Sequence, residues 1–251
     1  MQGLTVSCLS AGRVRPKRGE RGLRRYLTDD WSDSTLPVNV FLIEHPQGLC
    51  LVDVGQTAAA ARKGYFPRWY PFFALSRFEL SPEQEIAAQL RARGIDPADV
   101  RWVVLTHLHT DHVGGLAAFA HAEVVVVRAE WERAQGLRGR LRGYLPQYWP
   151  PGITPRLVDF NGPSVGPFAA SYDVAGDGTL LLVPLPGHTP THAGLLVRSE
   201  GSSFLCVGDA AHTAAQLAEA APWLREYCLR DHVTMLAAHD DRAPTLAEVR
   251  R

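Results

Sequence analysis

One short segment constrains this chain more than any other. The six residues from His107 to His112 read HLHTDH and contain three histidines and one aspartate. An apolar run from Trp102 to Thr106 leads into the segment, and Gly114 and Gly115 follow it. The pattern predicts a short buried strand that passes directly into the segment, with a helix beginning inside it. The fold must therefore place several ionisable side chains together at a strand-to-helix junction.

The spacing within this segment suits metal ions. His107 and His109 are two residues apart, so in an extended backbone both side chains emerge on the same side and can reach one cation. Asp111 and His112 follow at the turn into the helix and can reach a second cation a few ångströms away. Imidazole and carboxylate without thiolate suit zinc, iron, manganese or cobalt. The segment therefore predicts an open catalytic site and not a closed structural zinc site.

The composition narrows the class of protein. Lysine plus arginine and aspartate plus glutamate both number 26, so no net charge favours a nucleic-acid partner. The four cysteines form no CxxC pair, which predicts reduced thiols in the core. No apolar run approaches the roughly 20 residues needed to span a bilayer, and the N-terminus shows no targeting pattern. We therefore expect a cytoplasmic protein with no membrane partner.

The order of apolar and polar segments predicts the architecture. Hairpin patterns occupy Val38 to Val54 and Ala170 to Val183, and a helical pattern runs from Ala214 to Arg230 with a bend near Pro222. Strands and helices follow one another in this way in two halves of similar length. This order predicts an α/β chain forming one domain, residues 1–251, in which two sheets pack together with helices outside.

Three segments stand apart from this pattern. Residues 137–155 mix arginines, aromatic residues and prolines, which favours an ordered irregular loop acting as a lid insertion or pocket wall. The basic segment from Arg13 to Arg25 is interpreted as a solvated loop, with a mobile lip that attracts an anionic substrate or seals a subunit contact as the alternative. Four neighbouring aromatic residues suit a homodimer contact, a pocket wall or core packing: Trp69, Tyr70, Phe72 and Phe73.

The HLHTDH segment resembles the signature of the metallo-β-lactamase superfamily. Further motifs similar to those of the superfamily occur in the family's order: LVDVG at 51–55 before the segment, and PGHTP at 186–190, GD at 208–209 and AHD at 238–240 after it. The resemblance implies the αββα sandwich fold. It also implies two divalent metal ions, preferably zinc, with iron, manganese or cobalt as alternatives.

The same resemblance implies which residues bind these ions. The first metal would be held by His107, His109 and His188, the second by Asp111, His112 and His239, and Asp209 would bridge them. Asp53 would orient the ligands by hydrogen bonding. Among the other histidines, His192 and His212 follow the family motifs closely enough to line the cleft.

Histidines outside these motifs are predicted to have no part in the site. His45, His121 and His232 fall in a predicted turn or near predicted helix ends, and we interpret them as surface or capping residues.

Two cations sharing a bridging hydroxide lower the pKa of water toward about 7, which predicts a hydrolase. The hydroxide would attack a carbonyl carbon while the cations stabilise the developing negative charge. Asp111 or Asp209 would transfer the proton. His212 would contact the substrate, so these three residues form the predicted catalytic set.

Differences between subfamilies favour one substrate class. The best-known β-lactamases carry a cysteine at the position of Asp209, and thioesterases similar to glyoxalase II append a helical segment where this chain has only 12 residues after His239. The chain is most similar to N-acyl homoserine lactonases, in the TLPVN run at 35–39, the HLHTDHVGG run and PGHTPTHAGLL. The predicted substrate is therefore a small lactone or ester.

One position departs from the lactonase pattern. Those enzymes commonly have a tyrosine three residues after the bridging aspartate, where this chain has His212. A broad esterase, a thioesterase-like hydrolase and a mononuclear iron sulfur dioxygenase relative remain as alternatives.

Overall fold

Two sheets organise the computed structural model, which describes residues 4–17, 31–66, 76–199 and 201–248. The strands are β1 (Thr5–Pro16), β2 (Leu36–His45), β3 (Gly48–Val52), β4 (Ser76–Glu79), β5 (Val100–Val104), β6 (Glu123–Val127), β7 (Arg156–Val158), β8 (Tyr172–Asp173), β9 (Leu180–Pro184), β10 (Ala193–Ser199), β11 (Ser202–Gly208) and β12 (Val233–Ala237). The helices are α1 (Ile86–Ala92), α2 (Thr110–Val113), α3 (Arg128–Ala134), α4 (Gly136–Leu141), α5 (Ala214–Ala220), α6 (Pro222–Arg230) and α7 (Ala243–Glu248). Within the described residues the first sheet has the order β4-β1-β2-β3-β5-β6-β7 and the second β12-β11-β10-β9-β8.

Alternation along the strands explains why both sheets are buried on two faces. In β2, Val40 and Leu42 face a core that includes Ile86 of α1, whereas Phe41 and Ile43 face the opposite way. The side chains of successive strand residues point to opposite faces, so a strand that is apolar throughout needs cover on both sides.

The second sheet covers the inner face of the first sheet. Phe41 and Trp102 share one core cluster with Leu182 and Leu195, and the outer face of the second sheet packs Leu205 against helical residues such as Leu217. The layers are helix, sheet, sheet and helix, which confirms the αββα sandwich.

Most predicted elements are present with local changes. The hairpin predicted at Val38 to Val54 forms β2 and β3, paired antiparallel from Phe41 with Val52 to His45 with Gly48. The helix predicted from Ala214 to Arg230 is divided into α5 and α6 at Pro222, because proline has no N–H to continue the helical hydrogen bonds.

The basic segment is not a loop over its first residues. Arg13 to Pro16 complete β1, where the Arg13 guanidinium donates to Thr35 Oγ1 at 2.5 Å and Arg15 pairs with Glu79 at 3.0 Å. Cross-strand partners therefore neutralise part of this charge. Residues 18–25 of the segment lie outside the described residues, as do Trp69, Tyr70, Phe72 and Phe73.

Residues 137–155 are ordered, as predicted, but partly helical and not irregular throughout. They contain most of α4, and Tyr144 and Leu145 are buried. Trp149 stacks on Trp131 with ring centroids 4.8 Å apart, and the Tyr148 hydroxyl donates to the Tyr65 carbonyl at 2.6 Å. These contacts tie the segment to Trp131 and Tyr65, and its role as a pocket wall stays a prediction. Its action as a lid stays a prediction.

The cysteines form no disulfide bonds with one another, in agreement with the reduced thiols predicted. All four are free thiols, and Cys50, Cys206 and Cys228 are buried. Across the part of the chain that the structure describes, no helix has the length and apolar character needed to cross a membrane.

Candidate metal centre

The predicted ligands come from four loops at one edge of the sandwich. His107 follows β5, His188 lies between β9 and β10, Asp209 follows β11 and His239 follows β12. Because β11 and β12 run parallel, their carboxyl ends lie side by side, and Asp209 meets His239 there. The topology therefore brings together residues that are more than 100 positions apart.

The first ligand group consists of His107, His109 and His188. The His109 Nδ1 atom lies 3.1 Å from His107 Nε2 and 2.8 Å from His188 Nε2. His109 has an extended backbone at the start of α2, which is why its side chain emerges beside that of His107. His107 is buried, whereas His188 is exposed at the mouth of the site.

The second group consists of Asp111, His112 and His239. The Asp111 Oδ2 atom lies 3.7 Å from His239 Nε2 and 4.0 Å from His112 Nε2. Both histidines are buried, and Asp111 is half-buried. The structure thus brings together the six predicted ligands in the two predicted sets of three.

Asp209 lies between the two groups and turns one oxygen toward each. Its Oδ2 atom is 3.5 Å from His188 Nε2 and 3.9 Å from His107 Nε2. Its Oδ1 atom is 3.1 Å from His112 Nε2 and 3.2 Å from His239 Nε2. This arrangement fits a carboxylate shared by two cations.

Two buried atoms show that the site suits metal ions. His112 Nε2 and Asp209 Oδ1 are shielded from solvent, yet neither has a partner with hydrogen-bond geometry. Buried polar atoms without partners are costly, and a bound cation would satisfy both. Ligands of a tetrahedral zinc ion, each about 2.0–2.1 Å from the metal, lie roughly 3.3 Å from one another, which is close to the spacing here. The donor set therefore fits two divalent cations.

The protonation of the first group suits cation binding. Burial, followed by the neighbouring His112 and His109 rings, lowers the pKa of His107 well below its ordinary value. Burial and His188 lower the pKa of His109 to about 4. Both imidazoles are therefore neutral at pH 7, and a cation can bind them without displacing a proton.

The second group behaves differently because it is rich in carboxylates. Burial acts to lower the pKa of His239, but Asp209 outweighs it and raises the pKa to about 9. The pKa of His112 is also raised, by Asp209 and Asp53 against burial. Burial acts to raise the pKa of Asp209, yet the two histidines hold it well below its ordinary value. The carboxylates around the second group therefore stabilise positive charge there.

Asp53 supports the second group from behind. Its Oδ2 atom accepts hydrogen bonds from His112 Nδ1 at 2.7 Å and from the Thr106 hydroxyl at 2.9 Å, while Oδ1 accepts from Thr106 N at 2.9 Å. With the Nδ1 proton held by Asp53, Nε2 is the nitrogen that binds a cation once it has given up its own proton. The hydrogen bond supports the orienting role predicted for Asp53.

His192 does not line the cleft, contrary to the prediction. It is buried, and burial lowers its pKa to about 3. Its Nδ1 atom donates to the Leu185 carbonyl at 3.1 Å, and its Nε2 atom accepts from the Asp209 backbone at 3.2 Å. His192 therefore positions the bridging aspartate through its backbone.

His45 is not the surface residue that was predicted, although it lies outside the metal centre. It is buried, with Nε2 3.0 Å from Thr179 Oγ1 and 3.1 Å from Asp177 Oδ2. It thereby joins the first sheet to the second. His121 and His232 are exposed, as expected.

An open cleft leads to the ligands. Asp111, Asp209 and His212 all line it, and His212 is exposed, with its ring centroid 6.0 Å from that of His239. Val14 and Phe78 contribute to an apolar side of the same cleft, which also includes Leu36 and Pro16. The cleft can therefore place a polar reacting group on the ligands and an apolar group against β1, β2 and β4.

No sequence motif indicated the buried carboxylate of Glu130. Glu130 of α3 is fully buried and accepts hydrogen bonds from Leu108 N and from the Thr189 hydroxyl. The available signal was a carboxylate on the helix face that packs against the sheet, which is rare without a partner.

Comparisons with known proteins agree with this fold. The family model described as the metallo-beta-lactamase superfamily matches residues 33–243. The chain belongs to the metallo-β-lactamase superfamily.

Two of the curated relatives similar to this chain are named as N-acyl homoserine lactonases. The N-acyl homoserine lactonase AttM of Rhizobium radiobacter is 34% identical over 236 residues, covering 84% of this chain and 85% of its own. AttM of Agrobacterium fabrum is 33% identical over the same shares.

Solved structures show the same fold. An N-acyl homoserine lactone hydrolase with N-hexanoyl-L-homoserine bound at its catalytic metal center is similar, with a TM-score of 0.74 and 24% identity over 96% of this chain and 95% of that chain. AidC, a dizinc quorum-quenching lactonase, has a TM-score of 0.60 and 16% identity over 94% and 87% of the two chains.

Proposed function

We propose that this protein is a dinuclear metal-dependent lactonase that opens the ring ester of N-acyl homoserine lactones. The observation that carries the proposal is Asp209, whose two oxygens each face one group of ligands at the base of an open cleft. The similarity to AttM over 84% of the chain supports the substrate class.

Two divalent cations in this site would lower the pKa of water toward about 7 and polarise an ester carbonyl. Side chains of the protein would supply proton transfer and positioning. Asp111 is half-buried and lines the cleft, so its carboxylate can hold the proton that the leaving ring oxygen needs. Asp209 fixes the distance between the two ligand groups.

We propose that His212 contacts the substrate carbonyl. It lies exposed at the rim of the cleft, three residues beyond Asp209. An imidazole N–H donates a hydrogen bond as a tyrosine hydroxyl does, but from a shorter side chain. The acyl group would lie against the apolar side formed by Val14, Leu36 and Phe78.

Zinc is the metal we propose. Five of the seven ligands are imidazoles, which zinc binds well, and the structurally similar AidC is a dizinc enzyme. The four free cysteines support the reducing cytoplasm as its location. The shared core between the two sheets supports one domain, and Gly143 in the lining of the cleft supports residues 137–155 as its lid or wall. A homodimer stays a prediction.

The test is ring opening followed by pH-stat on metal-analysed protein, with short- and long-chain acyl homoserine lactones and a simple aryl ester. We expect rapid lactone opening that His109→Ala reduces more than about a hundredfold, since even residues behind metal ligands are worth about 10–100-fold. His121→Ala, at an exposed histidine, is the control and should match the wild type. Cleavage of the ester without lactone opening would contradict the lactonase assignment.

A further inference from the structure

Glu130 connects the two loops that carry the first ligand group. Its Oε1 atom accepts a hydrogen bond from Leu108 N at 3.3 Å, between His107 and His109. Its Oε2 atom accepts one from the Thr189 hydroxyl at 2.9 Å, directly after His188, and another from the Thr191 hydroxyl. One carboxylate on α3 thus holds both loops, which lie about 80 residues apart in the sequence.

Glu130 also reaches the wall of the cleft through Tyr144. The Tyr144 hydroxyl is hydrogen-bonded to Glu130, and burial together with this carboxylate raises the pKa of the phenol. The Tyr144 ring packs on the His109 ring, with centroids 5.1 Å apart and planes tilted by 34°. Gly143, its neighbour, lines the cleft. Glu130 is therefore connected to His109 in two ways, through the backbone of Leu108 and through the ring of Tyr144.

The complete burial of Glu130 needs its own explanation. The side chain has no solvent exposure, and burying a carboxylate is costly even when hydrogen bonds satisfy it. An amide or hydroxyl could accept some of the same hydrogen bonds at a lower cost. Arg133 of the same helix interacts with Tyr144 as Glu130 does, and a cation bound next to these loops would add to the compensation of a buried carboxylate.

We propose that Glu130 is a positioning residue for the first cation. It holds the 107–109 loop and the 188–191 loop at the separation that lets His109 and His188 share one ion, and its charge favours binding of that ion. The inference rests on the metal centre of the proposed function but not on its substrate.

The experiment measures cation binding without any lactone. Glu130→Gln keeps the size of the side chain and removes its charge, while a Thr189→Val/Thr191→Val double variant keeps the charge and removes two donors. Glu132→Gln is the matched control, because Glu132 lies on the same helix and is exposed. Zinc affinity is measured by competition with a chromophoric chelator, and the visible absorption of Co²⁺-loaded protein reports the coordination of the ion.

We expect the wild type to bind two equivalents of zinc and each test variant to bind one of them about tenfold more weakly, as is found for residues behind metal ligands. The Co²⁺ spectrum should change in both test variants and stay as in the wild type for Glu132→Gln. A merely structural role would lower the melting temperature without changing this spectrum.

Unchanged zinc affinity and an unchanged Co²⁺ spectrum in Glu130→Gln would overturn the proposal. If that variant does not fold, the threonine double variant decides in the same way. Weak lactone opening by a wild type that binds two equivalents would count against the lactonase function alone.

Discussion

Asp53→Asn tests how the second ligand group is prepared for its cation. In the wild type, the two oxygens of Asp53 accept three hydrogen bonds, one of them from His112 Nδ1 at 2.7 Å. An asparagine has one oxygen and one NH2 group. If the NH2 group faces His112, Nδ1 must become the acceptor, and the proton of the neutral ring moves to Nε2. A protonated Nε2 cannot bind a cation.

The opposite orientation of the amide is also unfavourable. The NH2 group would then face the buried backbone N–H of Thr106, which donates to Asp53 at 2.9 Å in the wild type. A buried donor left without an acceptor costs about 1–3 kcal/mol. Either orientation therefore opposes the structure that binds metal, and we expect affinity for one cation to fall by about 10–100-fold, or roughly 1.4–2.7 kcal/mol.

The assay is zinc content after dialysis against graded chelator, with circular dichroism to confirm folding. Asp159→Asn serves as the control, because Asp159 is exposed and pairs only at the surface with Arg128. The reasoning would be refuted by an Asp53→Asn protein that keeps two zinc equivalents at wild-type affinity.

Two further predictions concern the backbone and the apolar side of the site. Gly208→Ala should lower the free energy of unfolding by at least about 1–2 kcal/mol, the cost of a left-handed conformation, because Gly208 has φ 49° and a Cβ there would lie 2.6 Å from Thr106 Oγ1; a urea melt equal to the wild type would count against this. Leu36→Ala should lower kcat/KM for long-chain lactones several-fold more than for short-chain ones, since each buried methylene is worth about 0.8 kcal/mol. Equal losses for both chain lengths would show that the acyl group lies elsewhere.

The ligands could be predicted because their signal is local. Four of them fall within the six residues from His107 to His112, and the others occupy short motifs at strand ends. Strand β1 gave no such signal. Its burial pattern from Thr5 to Pro16 lacks strict alternation, because a register shift between Ser10 and Arg13 interrupts its pairing with β2.

Residues behind the ligands were harder to predict because their partners are distant in the sequence. Glu130 acts through groups 22 and 59 residues away, which no local pattern connects. His192 lies four residues after His188, and the spacing alone suggested the cleft. Gly208 allows the His192 ring to approach the backbone closely, and that contact directs the ring to Asp209 N.

The position of Asp209 has a thermodynamic consequence. If a single carboxylate serves both groups as proposed, an ion held by the first group would restrain the rotation of the Asp209 carboxylate and draw electron density from it. The restrained rotation favours binding of the other ion, whereas the loss of electron density opposes it, so the two binding events are linked. By reciprocity, the factor by which one ion changes the affinity for the other is the same in both directions. The metal content of this protein should therefore follow a cooperative isotherm, positive or negative, and not two independent saturation curves.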